Sequence, residues 1–225
     1  MTYTRRITII GLMGFWVLLL APNSWAQQRA PILDQVAKTY GDDSWDKVKW
    51  EWEPKTGKVS YEGTDKDGKP VNVSYVRTDL SSQSDAVKNQ VDPSFVNDNY
   101  WTLFPFHAYW DKSASAIDQG KFNLPVGPGT AELVPIKYPA DGGYTPGDTW
   151  DLYVGKDNRV VYFVYHRGGA KPPSRVLATW AGYKKAGPIL FSTEHRGFAD
   201  GKPLHIWITD VAVELTGSDK WMPAQ

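Results

Sequence analysis

The sequence predicts a mainly β (α+β) fold: a curved antiparallel sheet, an open half-barrel of about nine strands, closed by one or two helices. Short stretches in which apolar and polar residues alternate, as they do along a strand with one face buried, recur through most of the chain. Twenty glycines and sixteen prolines punctuate them, so turns are frequent and elements short. Helical spacing of apolar residues is confined to two places, near residues 31–40 and 92–104.

The chain opens with a leader. Arg5 and Arg6 precede an apolar run from Ile7 to Ala21, Pro22 breaks it, and Ser24-Trp25-Ala26 ends in small residues of the kind a signal peptidase cuts after. The run is shorter than the roughly 20 residues of a membrane-spanning helix. A cleaved signal peptide at residues 1–26 and a periplasmic or secreted protein starting at Gln27 are therefore expected, with no stable membrane anchor after cleavage. Thr4-Arg5-Arg6 also hints at twin-arginine export, although Thr8 stands where that signal favours an aromatic. With no cysteine anywhere, lipoprotein anchoring, disulfides and thiolate chemistry are excluded. Loss of Arg5 and Arg6 with the leader leaves 23 basic against 25 acidic residues, a balance that gives no reason to expect a nucleic-acid partner. The 199 residues from Gln27 onward suit one domain, residues 27–225, held by packing alone; nine of the tryptophans remain in it.

Each element follows from local pattern. Pro31 to Tyr40 reads as a helix with Ile32, Val36 and Ala37 on one side and Gly41 as its stop. Lys47 to Glu53 alternates Val48, Trp50 and Trp52 with charged residues. Two further strands carry Val59, Tyr61 and Gly63, then Val71, Val73 and Tyr75, in a hairpin register that sets the apolar sets opposite each other. Leu80 to Gln90 is polar, with at most a weak helix and mobility expected. Asp92-Pro93 predicts a helix start, Asp as cap and Pro at the first position, with the helix ending at about Phe104 before Pro105. A Gly/Pro-rich loop over 120–129 leads to a strand from Ala131 to Tyr138. Trp150, Leu152 and Val154 point to a buried face, and the run from Val160 to Tyr165 is apolar on both sides, as in a central strand covered on both faces. Residues 173–185 are ambiguous. Ile189, Phe191, Thr193 and His195 share a side. Asp200-Gly201 is a two-residue hairpin turn, and the phase slip near Thr209-Asp210, between Leu204/Ile206/Ile208 and Val211/Val213/Leu215, suggests a bulge or bend.

Several of these stretches resemble a known family. Trp180-Ala181-Gly182-Tyr183-Lys184, Gly187-Pro188-Ile189-Leu190, Asp200-Gly201-Lys202 and Asp210-Val211-Ala212-Val213 resemble the C-terminal hairpin of the LolA/LolB-like fold. The Gly147-Asp148-Thr149-Trp150-Asp151-Leu152-Tyr153-Val154 stretch is similar to its middle strands. The likeness in layout spans residues 30 to 215, and the motif-like part 147 to 214. Where that family often has a second glycine near Gly187, Ala186 and Pro188 flank it here. The resemblance implies a half-barrel with an apolar cavity under its helices, and a carrier of lipoproteins or other lipids. No family binding residue maps onto this chain.

The densest feature is Phe95 to Trp110, with seven aromatics in sixteen residues: Phe95, Tyr100, Trp101, Phe104, Phe106, Tyr109 and Trp110. One reading is a helical lid over a ligand cavity whose walls are Trp50, Trp52, Tyr61, Trp150 and Phe163. The other is a plug that fills the open side of the half-barrel. The two differ in whether a void remains between helix and sheet. A hydrophobic, lipid-like ligand is expected on the first reading, and on the second a filled module for another exported protein. A third reading, a cavity enzyme with His107 or His166 as general base, draws on the histidines. No catalytic residue is assigned, and no cofactor or metal is expected: nucleophile-elbow, zincin and phosphate-loop motifs are all missing. The two-residue turn at Asp200-Gly201 places His195 opposite Ile206 and His205 on the other face, which argues against a histidine metal pair.

Overall fold

The computed structural model describes residues 29–42, 44, 52–53, 58–64, 69–141, 145–215 and 217–225. The leader expected at residues 1–26, Val48 and Trp50 lie outside this set. In chain order the elements are α1 (Ile32–Tyr40), β1 (Trp52–Glu53), β2 (Lys58–Thr64), β3 (Pro70–Val76), α2 (Asp92–Trp110), β4 (Ser115–Ala116), β5 (Lys121–Asn123), β6 (Thr130–Lys137), β7 (Thr149–Val154), β8 (Val160–His166), β9 (Arg175–Thr179), β10 (Lys184–Ala186), β11 (Ile189–Phe191), β12 (Glu194–Ala199), β13 (Lys202–Trp207), β14 (Ala212–Glu214) and β15 (Trp221–Pro223).

The fold is mainly β. Eight strands form one antiparallel sheet in the order β13-β12-β9-β8-β7-β6-β4, with β5 also paired to β6. Among the described residues its first and last strands do not pair, so the sheet is open and not a closed barrel. The expected open antiparallel sheet of about nine strands is this eight-stranded sheet; β1-β2-β3 form a further meander, and β10-β11 and β14-β15 are two-stranded hairpins of their own.

Register puts the predicted apolar positions in rows. Ile136, Trp150, Tyr165 and Val176 follow one another across β6 to β9, and Val134, Leu152, Phe163 and Ala178 form the next row. These inner-face residues are buried, apart from half-buried Tyr165 and Val176. In the N-terminal meander Val59 faces Tyr75, Tyr61 faces Val73 and Gly63 faces Val71, the hairpin register expected. The two-residue turn also forms: Ala199 pairs with Lys202 while Asp200 and Gly201 take φ of 49° and 79°.

β8 is central, but it is covered less completely than its composition suggests. Val164 is buried on the outer face, whereas Val161 and Tyr162 stay half-exposed. A bulge at Val161 shifts the pairing with β7. Next to it, the Val160 amide donates to the Tyr40 hydroxyl (3.2 Å) and its carbonyl accepts from the Tyr183 hydroxyl (2.5 Å). The irregular ladder thereby becomes the attachment point of α1.

Helix α1 is amphipathic. Leu33, Val36, Ala37 and Tyr40 form its buried face, so Leu33, and not Ile32, leads that face. The Gly41 amide caps the Ala37 carbonyl with φ of 135°, a value open to glycine. Helix α2 departs from expectation at both ends. Its start is continuous with a π-helical turn at Val87–Val91, which follows a 3-10 turn at Arg77–Ser82. Residues 80–90 are therefore ordered into turns by burial of Val87 and Val91 against Tyr75 and Phe95. Asp92 sits inside helical backbone and caps nothing; its carboxylate accepts from the Tyr75 hydroxyl and from Arg77 Nε, both at 2.8 Å. At the other end the helix runs through Pro105 to Trp110. An interior proline forfeits one hydrogen bond and costs about 3 kcal/mol. Buried Leu103, Phe104, Phe106 and Ala108 flank it and offset that loss.

The predicted phase slip near Asp210 is a break, not a bulge. β13 ends at Trp207, and Val213 belongs to the separate β14-β15 hairpin. Leu204 and Ile206, on the edge strand β13, are only half-buried.

Gly197 on β12 lies so close to β9 that an added Cβ would overlap the Leu177 carbonyl oxygen. Gly197→Ala should therefore lower stability by about 1–3 kcal/mol through overpacking. Gly201→Asn, at a positive φ with open space around it, should stay within about 0.5 kcal/mol of wild type. Urea unfolding of the two variants checks this pair of outcomes.

Candidate functional site

The site is built where the first half of α2 crosses β7, β8 and β9. Trp150 is its base. Its ring centroid lies 4.7 Å from that of Tyr100, 4.5 Å from Phe104, 5.4 Å from Phe163 and 4.4 Å from Tyr165. Trp101 reaches over Phe163 (5.1 Å) and His195 (5.1 Å). Alternation along β7 and β8 presents Trp150, Phe163 and Tyr165 to the helix, and the three-to-four-residue spacing of α2 presents Val96, Asn97, Tyr100 and Trp101 to the sheet.

The packing is incomplete. A cleft of about 370 Å³ remains between helix and sheet, lined by Val96, Tyr100, Trp101, Trp150, Phe163 and Val176 and edged by Arg77, Asp92, Pro93, Asn97, Thr145 and Tyr165. Its polar groups are largely committed to protein partners. Arg77 Nε and the Tyr75 hydroxyl hold Asp92. Trp101 Nε1 donates to Asn97 (3.2 Å), Trp150 Nε1 to Thr145 (3.3 Å), the Tyr165 hydroxyl to Asp148 (2.9 Å) and the Tyr100 hydroxyl to Tyr138 (3.3 Å). Burial pushes the Tyr100 and Tyr165 phenols well above their usual range, so both are neutral at any physiological pH. The cleft thus presents ring faces, with its donors turned into the protein.

The predicted site residues divide accordingly. Tyr100, Trp101, Trp150 and Phe163 come together around the cleft. Phe104 is fully buried behind Tyr100, on Trp150. Phe106 packs on Tyr40 of α1 (6.1 Å) and on Trp110 (5.6 Å). Tyr109 lies under the Arg29 guanidinium (5.0 Å). Phe95 belongs to the second cluster with Tyr75, Val87 and Val91. Trp52 and Tyr61 lie in the β1–β3 meander, which is not paired with the wall strands β7 and β8. Trp50 falls outside the described residues. Within Phe95 to Trp110, then, Tyr100 and Trp101 border the cleft, whereas Phe95, Phe104 and Phe106 fill core.

Sequence reasoning missed Arg77, Asp92, Val96, Asn97, Tyr165 and Val176. Asp92 was masked by its fit to a helix cap, and Val96 by the larger aromatics around it. Tyr165 and Val176 had a signal: both fall in the register row of Trp150, once the β8-β9 connection is known.

The histidines do not form an acid–base site in the cleft. His107 is buried and stacked on Tyr100 (4.9 Å) beside Trp110 (4.9 Å), and burial lowers its pKa to about 3. His195 is also buried; its Nδ1 bonds the Thr179 carbonyl (3.0 Å) and its pKa falls to about 4, chiefly by burial. His166 does meet a carboxylate, Asp151 at 2.9 Å, but that pair lies on the outer face of β7 and β8, partly exposed and away from the cleft. His195 pairs with Ile206 and His205 with Arg196, the register expected from the turn. Among the described residues no three His, Asp or Glu side chains are grouped to hold a metal ion, and no helix is long and apolar enough to cross a membrane.

No protein-family model, no curated protein and no solved structure matches this chain.

Two buried neutral imidazoles set a pH dependence. In the unfolded chain each titrates near 6.5, and in the fold at about 3 and about 4. Below pH 6.5 the unfolded state therefore binds protons that the folded state does not. The stability is fully present above pH 6.5 and is lost as pH falls to about 4 for His195 and about 3 for His107, at up to about 1.4 kcal/mol per pH unit for each histidine. Urea unfolding at pH 7, 6 and 5 should show this fall, and His107→Phe should flatten it.

Proposed function

We propose that this chain is an exported, non-enzymatic protein that binds or carries a hydrophobic, lipid-like molecule in the cleft between α2 and the inner face of the sheet. The observation that carries the reading is the void of about 370 Å³ left over Trp150 and Phe163. A plug that served packing alone would close it, since protein interiors pack to near-crystalline density. The volume lies in the range of small-molecule sites. With its indole and phenol donors committed within the protein, the cleft favours an apolar guest over one that needs several hydrogen bonds. Arg77 and the exposed Asn97 also line it and give the polar end of an amphiphile a side to lie on. The leader at residues 1–26 and the stretches that resemble the LolA/LolB-like fold point the same way, to a carrier outside the cytoplasm. The cleft contains no histidine–carboxylate pair, which weighs against a cavity enzyme.

A second reading, a module for another exported protein, draws on one observation: Trp207, 70 % exposed on the outermost strand of the main sheet.

Native mass spectrometry of the protein purified from its own compartment, followed by solvent extraction, separates the two. A co-purifying apolar mass supports carriage. Val176→Trp, which grows into the cleft from a half-buried position, should abolish that mass while leaving the unfolding midpoint within a few degrees of wild type. Retention of the mass in the Trp variant, or none in wild type, would count against the cleft as a ligand site.

A further inference from the structure

Strand β9 has two faces, and a second, larger concavity opens on the one turned away from the cleft. Val176 lines the cleft; by alternation Arg175 and Leu177 point to the opposite side. There a trough of about 1000 Å³ lies between the connection at residues 167–174 and the β12-β13 turn. Its floor is apolar: Leu177 pairs with Phe198 across β9 and β12, and Phe198 is 42 % exposed. Its rim is basic, with Arg167, Lys171 and Arg175 against one acid among the described residues, Asp200. That acid is already engaged by the start of β9, accepting from the Arg175 amide (2.7 Å) and the Ser174 hydroxyl (3.1 Å).

The walls are held in place. The Gly168 amide donates to the buried Asp148 carboxylate (2.7 Å), and the Arg167 amide donates to the Ser174 carbonyl (3.1 Å). Gly168 lies so close to Gly147 that a Cβ would overlap the Gly147 carbonyl. Over the whole sequence basic and acidic residues balance at 25 each. The excess of two positive charges in this trough is therefore local and does not reflect a basic chain.

We propose that this trough binds a phosphate-bearing molecule whose apolar part lies on Leu177 and Phe198. A phosphate monoester carries about two negative charges at neutral pH, which matches the local excess. Guanidinium groups bind such oxygens in a forked geometry, and Arg167 and Arg175 supply two. The assignment stands apart from the cleft, because the two sites use opposite faces of β9.

Titration calorimetry of the full chain at low ionic strength, with phenyl phosphate as the probe and phenol and inorganic phosphate as controls, tests it. Phenyl phosphate should bind more tightly than either control, and binding should weaken with added salt. The double variant Arg167→Glu/Arg175→Glu should lose at least tenfold in affinity, and Val176→Trp in the cleft should lose none. Lys171→Glu, on an exposed connection, is the second variant should the first fail to fold, and should lose severalfold. Cosedimentation with phosphatidylglycerol vesicles, but not phosphatidylcholine vesicles, separates a lipid head group from a soluble ester. Binding to either phosphate source that is lost on charge reversal supports the site; absence of both, or binding unchanged by charge reversal, overturns it.

Discussion

The contact of helix α2 with Trp150 is the constraint on which the rest of the structure depends. Four aromatic rings surround that indole within 5.4 Å, two from the helix and two from β8. Large apolar side chains contribute about 1.5–3 kcal/mol each when fully buried, and aromatic pairs somewhat more. Without disulfides, this cluster is the main tie between helix and sheet. It also explains why α2 lacks a polar side over its second half. Phe104 faces the sheet, Phe106 faces α1, and Val96 and Trp110 touch both core clusters. A helix surrounded by partners does not show the one-sided pattern of a surface helix.

This geometry explains which parts were legible in the sequence. A strand with one buried face writes its register directly, so Trp150/Leu152/Val154 could be placed by alternation, and the register of the Val59/Tyr61/Gly63 hairpin followed from its period-two pattern and its turn. The Asp200-Gly201 turn was equally legible, since two residues at positive φ leave one register, and that register separates His195 from His205. What stayed hidden depended on contacts distant in sequence. Asp92 has the composition of a cap, but Tyr75 and Arg77, 17 and 15 residues earlier, claim its carboxylate. Pro105 has the composition of a stop, yet burial of its neighbours carries the helix past it. The division of the strands into separate sheets follows from where the chain breaks pairing, near Asp210 and between β3 and β4, and no period-two pattern records that.

The same contrast decides the candidate site. The aromatic content of residues 95–110 was plain, but a list of aromatics does not distinguish rings that fill space from rings that border it. The difference arises one helical turn at a time. Phe104, Phe106 and Ala108 meet buried partners and close the space, whereas Val96 and Trp101 border a space that the short Val176 side chain does not fill. A valine in that row, in line with Trp150 and Tyr165, is therefore what leaves the cleft open. Cleft-bordering and space-filling rings thus share one helix, and the size of the residue on the facing strand separates them.

β9 then organises both concavities. Its inner residues, Val176 and Ala178, are small and permit the cleft; its outer residues, Arg175 and Leu177, supply a cation and part of the apolar floor to the trough. Gly197 brings β12 close enough that Leu177 and Phe198 form one surface, and Asp148 holds both the Tyr165 hydroxyl at the cleft and the Gly168 amide at the trough. A carboxylate that bonds to both walls fixes their spacing, since moving either breaks a charge-assisted hydrogen bond on a largely buried group. The apolar and the basic concavities are thus built on one rigid strand from opposite sides, and the sheet itself is the partition between them.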